Sequence, residues 1–369
     1  MTSTSYYWHE SCFWHGAGNY AFIVPVGGLV EPLTAGGLPE SPNSKRRLNN
    51  LLQATGLWNE LDVGTADLAT EEDLRRVHPT AYLAEFKRLS DGDGGELGER
   101  TPFGPGGYEI AARSAGLAKQ ALFDILAGTH RNAYALSRPP GHHCLPDTPM
   151  GFCLLANVAI AVEAALSAKL VERVAVVDWD VHHGNGTEAI FYDRPDVLTI
   201  SIHQENNYPR PSGAFDARGE GAGEGTNLNI PLLPGGGHDA YLYSFDRLIA
   251  PALTQFRPDA IMVASGFDAS GVDPLSRMMA TAQTFVDMTA RLMTLAENLC
   301  GGRLAMAHEG GYSEVHVPFC GHAVLQALSG SSTAADDPLA PRINGQQPNE
   351  RFQAFQRGLI DDMAVGLSF

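Results

Sequence analysis

The chain lacks several features that would place a protein in a particular class. Its 369 residues include only five cysteines, at positions 12, 144, 153, 300 and 320, with no CxxC spacing. An odd, scattered set argues against a disulfide framework or a thiolate zinc site, and it favours a reducing, cytoplasmic setting. The sequence also has no GxSxG motif, no P-loop and no strand followed by GxGxxG. These absences argue against a serine-hydrolase elbow and the common phosphate-binding loops.

Basic residues and long apolar runs are scarce as well. There are 25 Lys and Arg against 42 Asp and Glu, which gives a formal net charge of −17. This charge argues against nucleic acid or an anionic membrane as the main partner. It suits a cationic substrate, and it suits an ordinary acidic protein surface equally well. The apolar stretch 20–30 is short and contains Pro25, Gly27 and Gly28, so we expect neither a signal peptide nor a membrane span.

What the sequence does contain is an alternation of short apolar strands and amphipathic helices. We predict strands at 133–136, 174–177, 197–202, 260–264 and 304–307. Helices are predicted at 44–56, 80–90, 106–128, 155–169, 238–256, 277–299, 318–328 and 349–364. This alternation indicates an α/β fold whose parallel sheet is covered by helices on both faces. No linker-like run divides the chain, so we expect one domain over 1–369, with an N-terminal loop region (1–43) and a C-terminal tail and helix (330–369).

Polar residues follow the predicted strands, where ligands bind in open α/β sheets. Asp178, Asp180 and His182 come after the strand at 174–177 and would project to one side of an extended segment. Two carboxylates and an imidazole make half of a site for a metal such as Zn²⁺. Asp268, which follows the strand at 260–264 among small residues, is the best third ligand. The alternative is a solvated polar loop in which His182 and Asp268 serve only as caps or turn residues.

Two further strand ends carry groups suited to proton transfer and carbonyl activation. His142 and His143 follow a rigid Pro-Pro-Gly turn, where adjacent imidazoles suggest acid–base chemistry. Asp178 could orient one imidazole and Asn185 could accept a hydrogen bond from the other. Tyr312 follows two glycines and could donate its phenol proton to a developing oxyanion. With a metal-activated water, this set predicts hydrolysis of a carbonyl compound.

These residues also carry a family resemblance. Five segments in order, within residues 6–330, resemble the zinc-dependent histone deacetylase family, and most closely its bacterial class II-like histone deacetylase-like amidohydrolases. They are RPPGHH (138–143), GFC (151–153) with Asn157, DWDVHHGNGT (178–187), SGFDA (265–269) and EGGY (309–312). The resemblance implies a single arginase/deacetylase-type domain with an approximately eight-stranded parallel sheet.

The resemblance implies a role for each matching residue of the catalytic centre. One catalytic Zn²⁺ would be held by Asp180, His182 and Asp268. His143 would be the general base and acid, with Asn185 behind it. His142 would be its electrostatic partner, backed by Asp178, and Tyr312 would polarise the acyl carbonyl together with the metal.

The resemblance also implies a substrate tunnel and structural potassium ions. Phe152 and Tyr208 would form the walls around an acyl-lysine side chain, with Gly151 between wall and metal and Leu275 at the mouth. Backbone carbonyls would provide most ligands of one or two K⁺ ions, the inner at Asp178, Asp180, His182, Ser201 and Ile202, the second at Phe191, Arg194, Val197 and Thr226. An acidic rim residue that grips the substrate backbone in relatives is not identifiable among Asp91, Asp93, Glu96 and Glu99.

The expected reaction is zinc-dependent hydrolysis of the amide of N6-acetyl-lysine, or of another short acyl-lysine, to give the acid and free lysine. The alternative is an acetylpolyamine amidohydrolase, although polyamine-specific relatives carry an acid where this chain has Leu275. A catalytically idle acyl-lysine binding module is a third reading. The segment 17–40 is too apolar for a solvated loop and too broken for a core element. It therefore predicts a homo-oligomer contact, dimer or tetramer, unless it folds back on its own domain.

Overall fold

The computed structural model describes residues 4–16, 18–27, 30 and 37–367. Eight parallel strands form its main sheet, in the spatial order β10 (Asn227–Leu232), β9 (Val197–Gln204), β8 (Val174–Asp178), β11 (Ala260–Ser265), β12 (Leu304–His308), β7 (Asn132–Ala135), β1 (Thr4–Tyr7) and β4 (Asp62–Gly64). Two short antiparallel pairs lie apart from it, β2 (Tyr20–Ala21) with β3 (Val24–Pro25) and β5 (Gly95–Glu96) with β6 (Pro102–Phe103). The predicted α/β fold with a parallel sheet of about eight strands is confirmed.

Helices connect the strands of the sheet. They are α1 (Asn43–Thr55), α2 (Glu71–Arg75), α3 (Thr80–Ser90), α4 (Gly107–Leu126), α5 (Asn157–Ser167), α6 (Asn185–Phe191), α7 (His238–Ser244), α8 (Ala250–Phe256), α9 (Ala282–Cys300), α10 (Val317–Ser329), α11 (Ala340–Gly345) and α12 (Glu350–Val365). One π-helical turn, Phe245–Ile249, joins α7 to α8, and short 3₁₀ turns lie at Glu10–Trp14, Leu57–Glu60 and Gly221–Gly223. None of the helices in the described residues is long and apolar enough to cross a bilayer.

Both faces of the sheet are buried, which explains why its central strands are continuous apolar runs. Along β8, Ala175 and Val177 pack into one hydrophobic cluster, whereas Val174 and Val176 pack into the other. The first cluster includes side chains from α1, α9 and α10, and the second includes side chains from α4 and α5. The helices on both faces therefore hold the sheet in place, and the carboxyl ends of its strands can position polar groups.

The outer strands differ from the sequence predictions. All five predicted strands occur, but β1, β4 and β10 were not predicted, and β1 corrects the expectation that residues 1–43 form loop alone. Thr4–Tyr7 and Asn227–Leu232 mix polar and apolar residues, so their local pattern is not that of a buried parallel strand. They join the sheet because neighbouring strands supply backbone partners, with β1 pairing with both β7 and β4.

A fully buried ion cluster ties the N-terminal segment to the carboxyl end of β7. Glu40 accepts hydrogen bonds from Arg138 Nε and Lys45 Nζ, each at 3.0 Å. The Arg138 guanidinium also donates to the carbonyl oxygens of Cys12 and His15, at 2.8 and 3.1 Å. Burial alone would raise the pKa of Glu40, but Arg138 and Lys45 outweigh it and lower that pKa to about 2. The cluster therefore remains charged at neutral pH.

Replacing Glu40→Gln should strongly destabilise the protein, because two buried cations lose their common counter-charge. Breaking a buried pair in this way costs about 3–5 kcal/mol of unfolding free energy. The folded-state pKa of Glu40 lies below the unfolded value of 4.5, so its contribution is present above pH 4.5 and is lost as the pH falls towards about 2. Chemical denaturation at pH 7 measures the loss. Glu85→Gln, which breaks an exposed pair with Arg88, is the matched control and should leave stability unchanged.

Candidate active site

Three acidic or imidazole side chains meet at the carboxyl ends of β8 and β11. Asp180 and His182 lie just beyond β8, and Asp268 lies just beyond β11, the strand beside it. Their potential ligand atoms all lie within 4.8 Å of one another, and all three residues are buried. His182 Nδ1 lies 3.0 Å from Asp180 Oδ1 and 3.1 Å from Asp268 Oδ2. The structure thus brings together the three residues that the sequence predicted as metal ligands.

Backbone donors fix both carboxylates in this arrangement. Gly310 N–H donates to Asp180 Oδ2 at 2.7 Å, and Val181 N–H donates to Asp268 Oδ1 at 2.8 Å. Each carboxylate therefore presents its other oxygen to His182 Nδ1. The backbone at Gly310 passes so close that a Cβ there would lie 2.2 Å from Asp268 Oδ2. Only glycine allows this approach.

The electrostatics of this cluster favour a cation between the side chains. Burial alone would lower the pKa of His182, but hydrogen bonds to Asp180 and Asp268 outweigh it and raise that pKa to about 10. The same two carboxylates would attract a metal ion in place of the imidazole proton. One imidazole nitrogen and two carboxylate oxygens, with no further protein ligand among the described residues in the group, fit a three-ligand zinc site with an open position.

The two adjacent histidines occupy different environments. His142 Nδ1 donates to Asp178 Oδ2 at 2.9 Å, and His143 Nδ1 donates to Asn185 Oδ1 at 2.8 Å. Their rings are stacked at an angle, with centroids 3.9 Å apart. Burial lowers the pKa of both imidazoles, but the carboxylates of Asp180 and Asp178 reverse the effect at His142 and raise its pKa well above 6.5. At His143, burial and then His142 keep the pKa well below 6.5.

This pairing leaves His143 as a neutral imidazole whose Nε2 has no hydrogen-bond partner among the described residues. Its Nδ1 proton is held by the amide of Asn185, whose own orientation is fixed by a contact from Nδ2 to Met150 Sδ at 3.4 Å. His143 lines the cavity that leads to the carboxylate cluster. The structure therefore provides a proton acceptor at the cavity wall beside a histidine that holds its charge.

Tyr312 lines the same cavity as His143 and His182. Its ring meets the Phe152 ring edge to face at 5.7 Å and lies 6.2 Å from the His182 ring. Burial, then the nearby carboxylates of Asp180 and Asp268, raise the pKa of Tyr312 well above 10. The phenol therefore keeps its proton and can act as a hydrogen-bond donor.

A cavity of about 430 Å³ leads from the surface to this centre. The four residues predicted for substrate binding all line it, namely Gly151, Phe152, Tyr208 and Leu275. Tyr208 packs edge to face on the His143 ring, with centroids 5.0 Å apart. A Cβ at Gly151 would lie 2.4 Å from His143 Cδ2 and 2.8 Å from Tyr208 Cε1. Glycine is therefore required where the wall passes closest to the proton acceptor.

The other polar residues at the strand ends serve the framework. His183 turns away from the centre and contacts Ser212 and Glu188, because successive side chains of an extended segment point to opposite sides. His203 and Gln204, expected just after a strand, are the last residues of β9. His203 contacts Ser201 and Gly213, and burial lowers its pKa to about 3.

The residues predicted to hold potassium include members near both ends of β9. Asp178 and Ser201 are register partners on β8 and β9, and Ile202 follows directly. At the second place, Arg194 N–H donates to the Phe191 carbonyl at 3.0 Å, and Thr226 Oγ1 donates to the Arg194 carbonyl at 3.0 Å. Val197, the fourth residue predicted there, begins β9 three residues beyond Arg194.

Two buried carboxyl groups near the site were not predicted. Glu309 Oε2 accepts the N–H groups of Gly141 and His142, at 2.6 and 3.1 Å, and burial raises its pKa to about 7. Asp273 accepts from the N–H groups of Leu275 and Tyr312, at 2.9 and 2.8 Å, and burial raises its pKa to about 8. Each joins two loops that carry site residues. Such contacts between distant segments leave no local signal in a sequence.

Comparison with known proteins places this site in a family. The family model of the histone deacetylase domain matches residues 38–328. A histone deacetylase-like amidohydrolase of Pseudomonas aeruginosa is 55% identical over 362 residues, which cover 98% of this chain and 95% of the relative. A probable deacetylase of Archaeoglobus fulgidus is 38% identical, covering 72% of this chain and 74% of the relative.

The fold comparison agrees. The crystal structure of the HDA15 HD domain is similar with a TM-score of 0.82 and 29% identity, over 99% of this chain and 96% of that one. The chain therefore belongs to the histone deacetylase family, which is a family of zinc-dependent hydrolases. The sequence resemblance and the expected enzyme class are both confirmed.

Asp268→Ala should abolish metal binding while the fold is kept, because it removes one of the three predicted ligands and leaves two. The change should be measured as metal bound per chain after dialysis, with circular dichroism to confirm folding. Asp147→Ala, which removes an exposed aspartate, is the control and should keep full occupancy. A folded Asp268→Ala protein with undiminished metal would contradict the ligand set.

Proposed function

We propose that this protein hydrolyses the side-chain amide of N6-acetyl-lysine, or of another short acyl-lysine, in a reaction that depends on one Zn²⁺ held by Asp180, His182 and Asp268. The observation that carries the proposal is the convergence of this ligand set with a histidine pair and a phenol at the inner end of one cavity. When bound there, zinc would polarise the acyl carbonyl and lower the pKa of a water molecule.

The two histidines have different roles in the proposed reaction. His143 Nε2, the ring nitrogen that Asn185 does not contact, takes the proton from the attacking water. The water oxygen bonds to the acyl carbon, and the carbon–nitrogen bond breaks as the lysine nitrogen receives that proton. His142, held in its charged form by Asp178, stabilises the negative charge that develops in the centre. The products are acetate and the free lysine side chain.

Tyr312, which also lines the cavity, acts on the carbonyl oxygen. A protonated phenol donates a hydrogen bond to that oxygen as negative charge develops on it, which lowers the barrier without adding a formal charge. Asp273 is a positioning residue for this step, because it accepts the Tyr312 N–H and so fixes the loop that carries the ring.

The cavity suits the apolar part of a lysine side chain. Phe152 and Tyr208 offer aromatic walls, and Leu275 packs beside Phe152 and Tyr312 in a small apolar cluster. Burying the four methylene groups of lysine contributes roughly 0.8 kcal/mol each at most. Among the described residues, the cavity lining has no carboxylate that could bind the distal ammonium of a polyamine. This favours an acyl-lysine over an acylated polyamine.

Potassium, assembly and location complete the proposal. One or two structural K⁺ ions would bind at the inner place around Asp178, Ser201 and Ile202 and at the second place around Phe191, Arg194, Val197 and Thr226. The protein would act in the cytoplasm as a homo-oligomer, dimer or tetramer, without nucleic acid or membrane as a partner. Its five cysteines, all free and buried, and its charge of −17 support this setting.

His143→Ala should abolish turnover while the metal stays bound, because the proton acceptor is lost and the metal ligands are intact. Loss of one general catalyst costs about 10²–10⁴ in kcat. His142→Ala should have a smaller effect, since it removes only electrostatic support. The measurement is kcat on a fluorogenic acetyl-lysine peptide, with metal content determined in parallel. Small and equal losses in both variants would contradict the assignment.

Acetyl-lysine peptides should exceed acetylspermidine in kcat/KM by more than about tenfold, because no counter-charge at the mouth replaces the hydration of a distal ammonium. Leu275→Glu should narrow or reverse this ratio, while Leu275→Gln, the neutral control of similar size, should not. The measurement compares both substrates on all three proteins. A wild-type preference for acetylspermidine would favour the polyamine reading instead.

The assembly can be tested at the β2–β3 pair. Of segment 17–40, the structure describes 18–27, 30 and 37–40, where Phe22 and Val24 are 42% and 47% exposed and Phe22 and Ile23 line the cavity. We expect light scattering to show an oligomer at micromolar concentration. Val24→Asp should shift it towards the monomer, and Val365→Asp, on an exposed valine of α12, should not. A monomeric wild-type protein would refute the proposed contact.

A further inference from the structure

The mouth of the cavity has a charge opposite to that of the chain as a whole. Arg100, Arg210 and Arg277 are among the residues that line it, and no aspartate or glutamate of the described chain does so. The whole protein carries a formal net charge of −17. Three arginines gathered at the opening of the active site therefore stand out against an acidic surface. A substrate that reaches this opening meets local positive charge.

Arg100 is fixed in place beside the cavity wall. Gly151 N–H donates to the Glu99 carbonyl at 3.0 Å and Phe152 N–H donates to the Arg100 carbonyl at 3.1 Å, so this segment is joined to the wall. The Arg100 guanidinium lies over the Tyr208 ring, 5.5 Å from its centroid. Glu99, which is 52% exposed, pairs with it at 3.1 Å. Solvent at the Glu99 carboxylate weakens this pair, so Arg100 remains available to a second carboxylate.

Arg277 and Arg210 have no acidic partner in the part of the chain that the structure describes. Arg277 donates to the Ser276 carbonyl at 2.6 Å, and Arg210 donates to the Asn207 carbonyl at 3.1 Å. The Arg277 backbone is held at both ends, since its N–H donates to Gln204 Oε1 and its carbonyl accepts from Gly235 N–H, each at 2.7 Å. Both side chains are exposed. Two uncompensated guanidinium groups thus face solvent at the mouth.

We propose that these arginines bind carboxylates of the substrate, and that the preferred substrate is an acyl-lysine flanked by aspartate or glutamate in a peptide or protein segment. The inference rests on the proposed acyl-lysine hydrolysis and specifies its substrate class. The guanidinium fork binds carboxylates through two parallel hydrogen bonds. The acyl group itself reaches the buried inner end of the cavity, at His143, His182 and Tyr312. The arginines therefore contact only the parts of the substrate that stay outside the cavity.

The first test compares three acetyl-lysine peptides of equal length, with glutamate, glutamine or lysine at the two positions on each side. We expect kcat/KM to fall in that order, by about three- to tenfold at each step, chiefly through KM, because the arginines act on binding outside the reacting centre. The differences should shrink in 0.5 M salt, where screening lengths fall to roughly 4 Å. Equal kcat/KM for all three peptides would overturn the inference.

The second test reverses the charge at the mouth. The double variant Arg210→Glu with Arg277→Glu should invert the order, so that the lysine-flanked peptide becomes the best. Arg131→Glu is the control. Arg131 directly precedes β7, so it lies at the amino ends of the strands, whereas the site lies at their carboxyl ends. Its side chain is 56% exposed and pairs only with Glu297 among the described residues. This control changes the net charge in the same direction and should leave the order unchanged. An unchanged order in the double variant would overturn the inference.

A succinyl-lysine in the glutamine-flanked peptide distinguishes a carboxylate on the acyl group from carboxylates in the flanking residues. We expect no gain over its acetyl counterpart, because the acyl end passes beyond the arginines. A gain equal to that from flanking glutamates would overturn the peptide assignment and assign the arginines to the acyl group. Failure of the proposed function has a different signature, since none of the peptides would then be hydrolysed by a metal-loaded enzyme.

Discussion

The mutual repulsion of two buried carboxylates, Asp180 and Asp268, is the constraint on which the site depends. In a region of low dielectric, like charges at this separation are unfavourable, and burial, then Asp180, raises the pKa of Asp268 to about 6. The chain offsets the repulsion with His182 and with backbone N–H groups of Val181 and Gly310. The two carboxylates and the groups that offset their repulsion follow β8, β11 and β12, which are three neighbouring strands. The charge balance of the centre therefore depends on the order of the strands in the sheet.

The same principle explains the unequal histidines. His142 and His143 are adjacent in sequence and equally buried, yet their partners differ in charge, a carboxylate for His142 and a neutral amide for His143. An opposite charge holds a proton on an imidazole, and a neutral partner does not. The opposite pKa shifts of two identical side chains thus arise from the charges around each ring. Glu309 keeps the turn that carries both in place through two backbone N–H groups.

Central features of the fold were predictable because they are local. β8, β11 and β12 are buried on both faces and so appear as unbroken apolar runs, and α3 and α4 show clear amphipathic stripes. β1, β4 and β10 were not predictable, since short and partly polar segments become strands only when a neighbour supplies hydrogen bonds. α6 was missed for a related reason. Its seven residues begin at Asn185, inside the polar run that follows β8.

The sequence by itself determined which chemical groups the site holds, because the residue types and their positions after apolar strands are visible in the sequence. It indicated Asp180, His182 and Asp268 as candidate metal ligands. Only the tertiary structure decided which partner each group receives. Asp273 joins Leu275 to Tyr312, and Glu40 neutralises Arg138 from a distant segment. The same holds for the arginines at the mouth, which come from three separate loops. Their proximity depends on how the chain packs, and no local pattern records a contact between residues far apart in sequence.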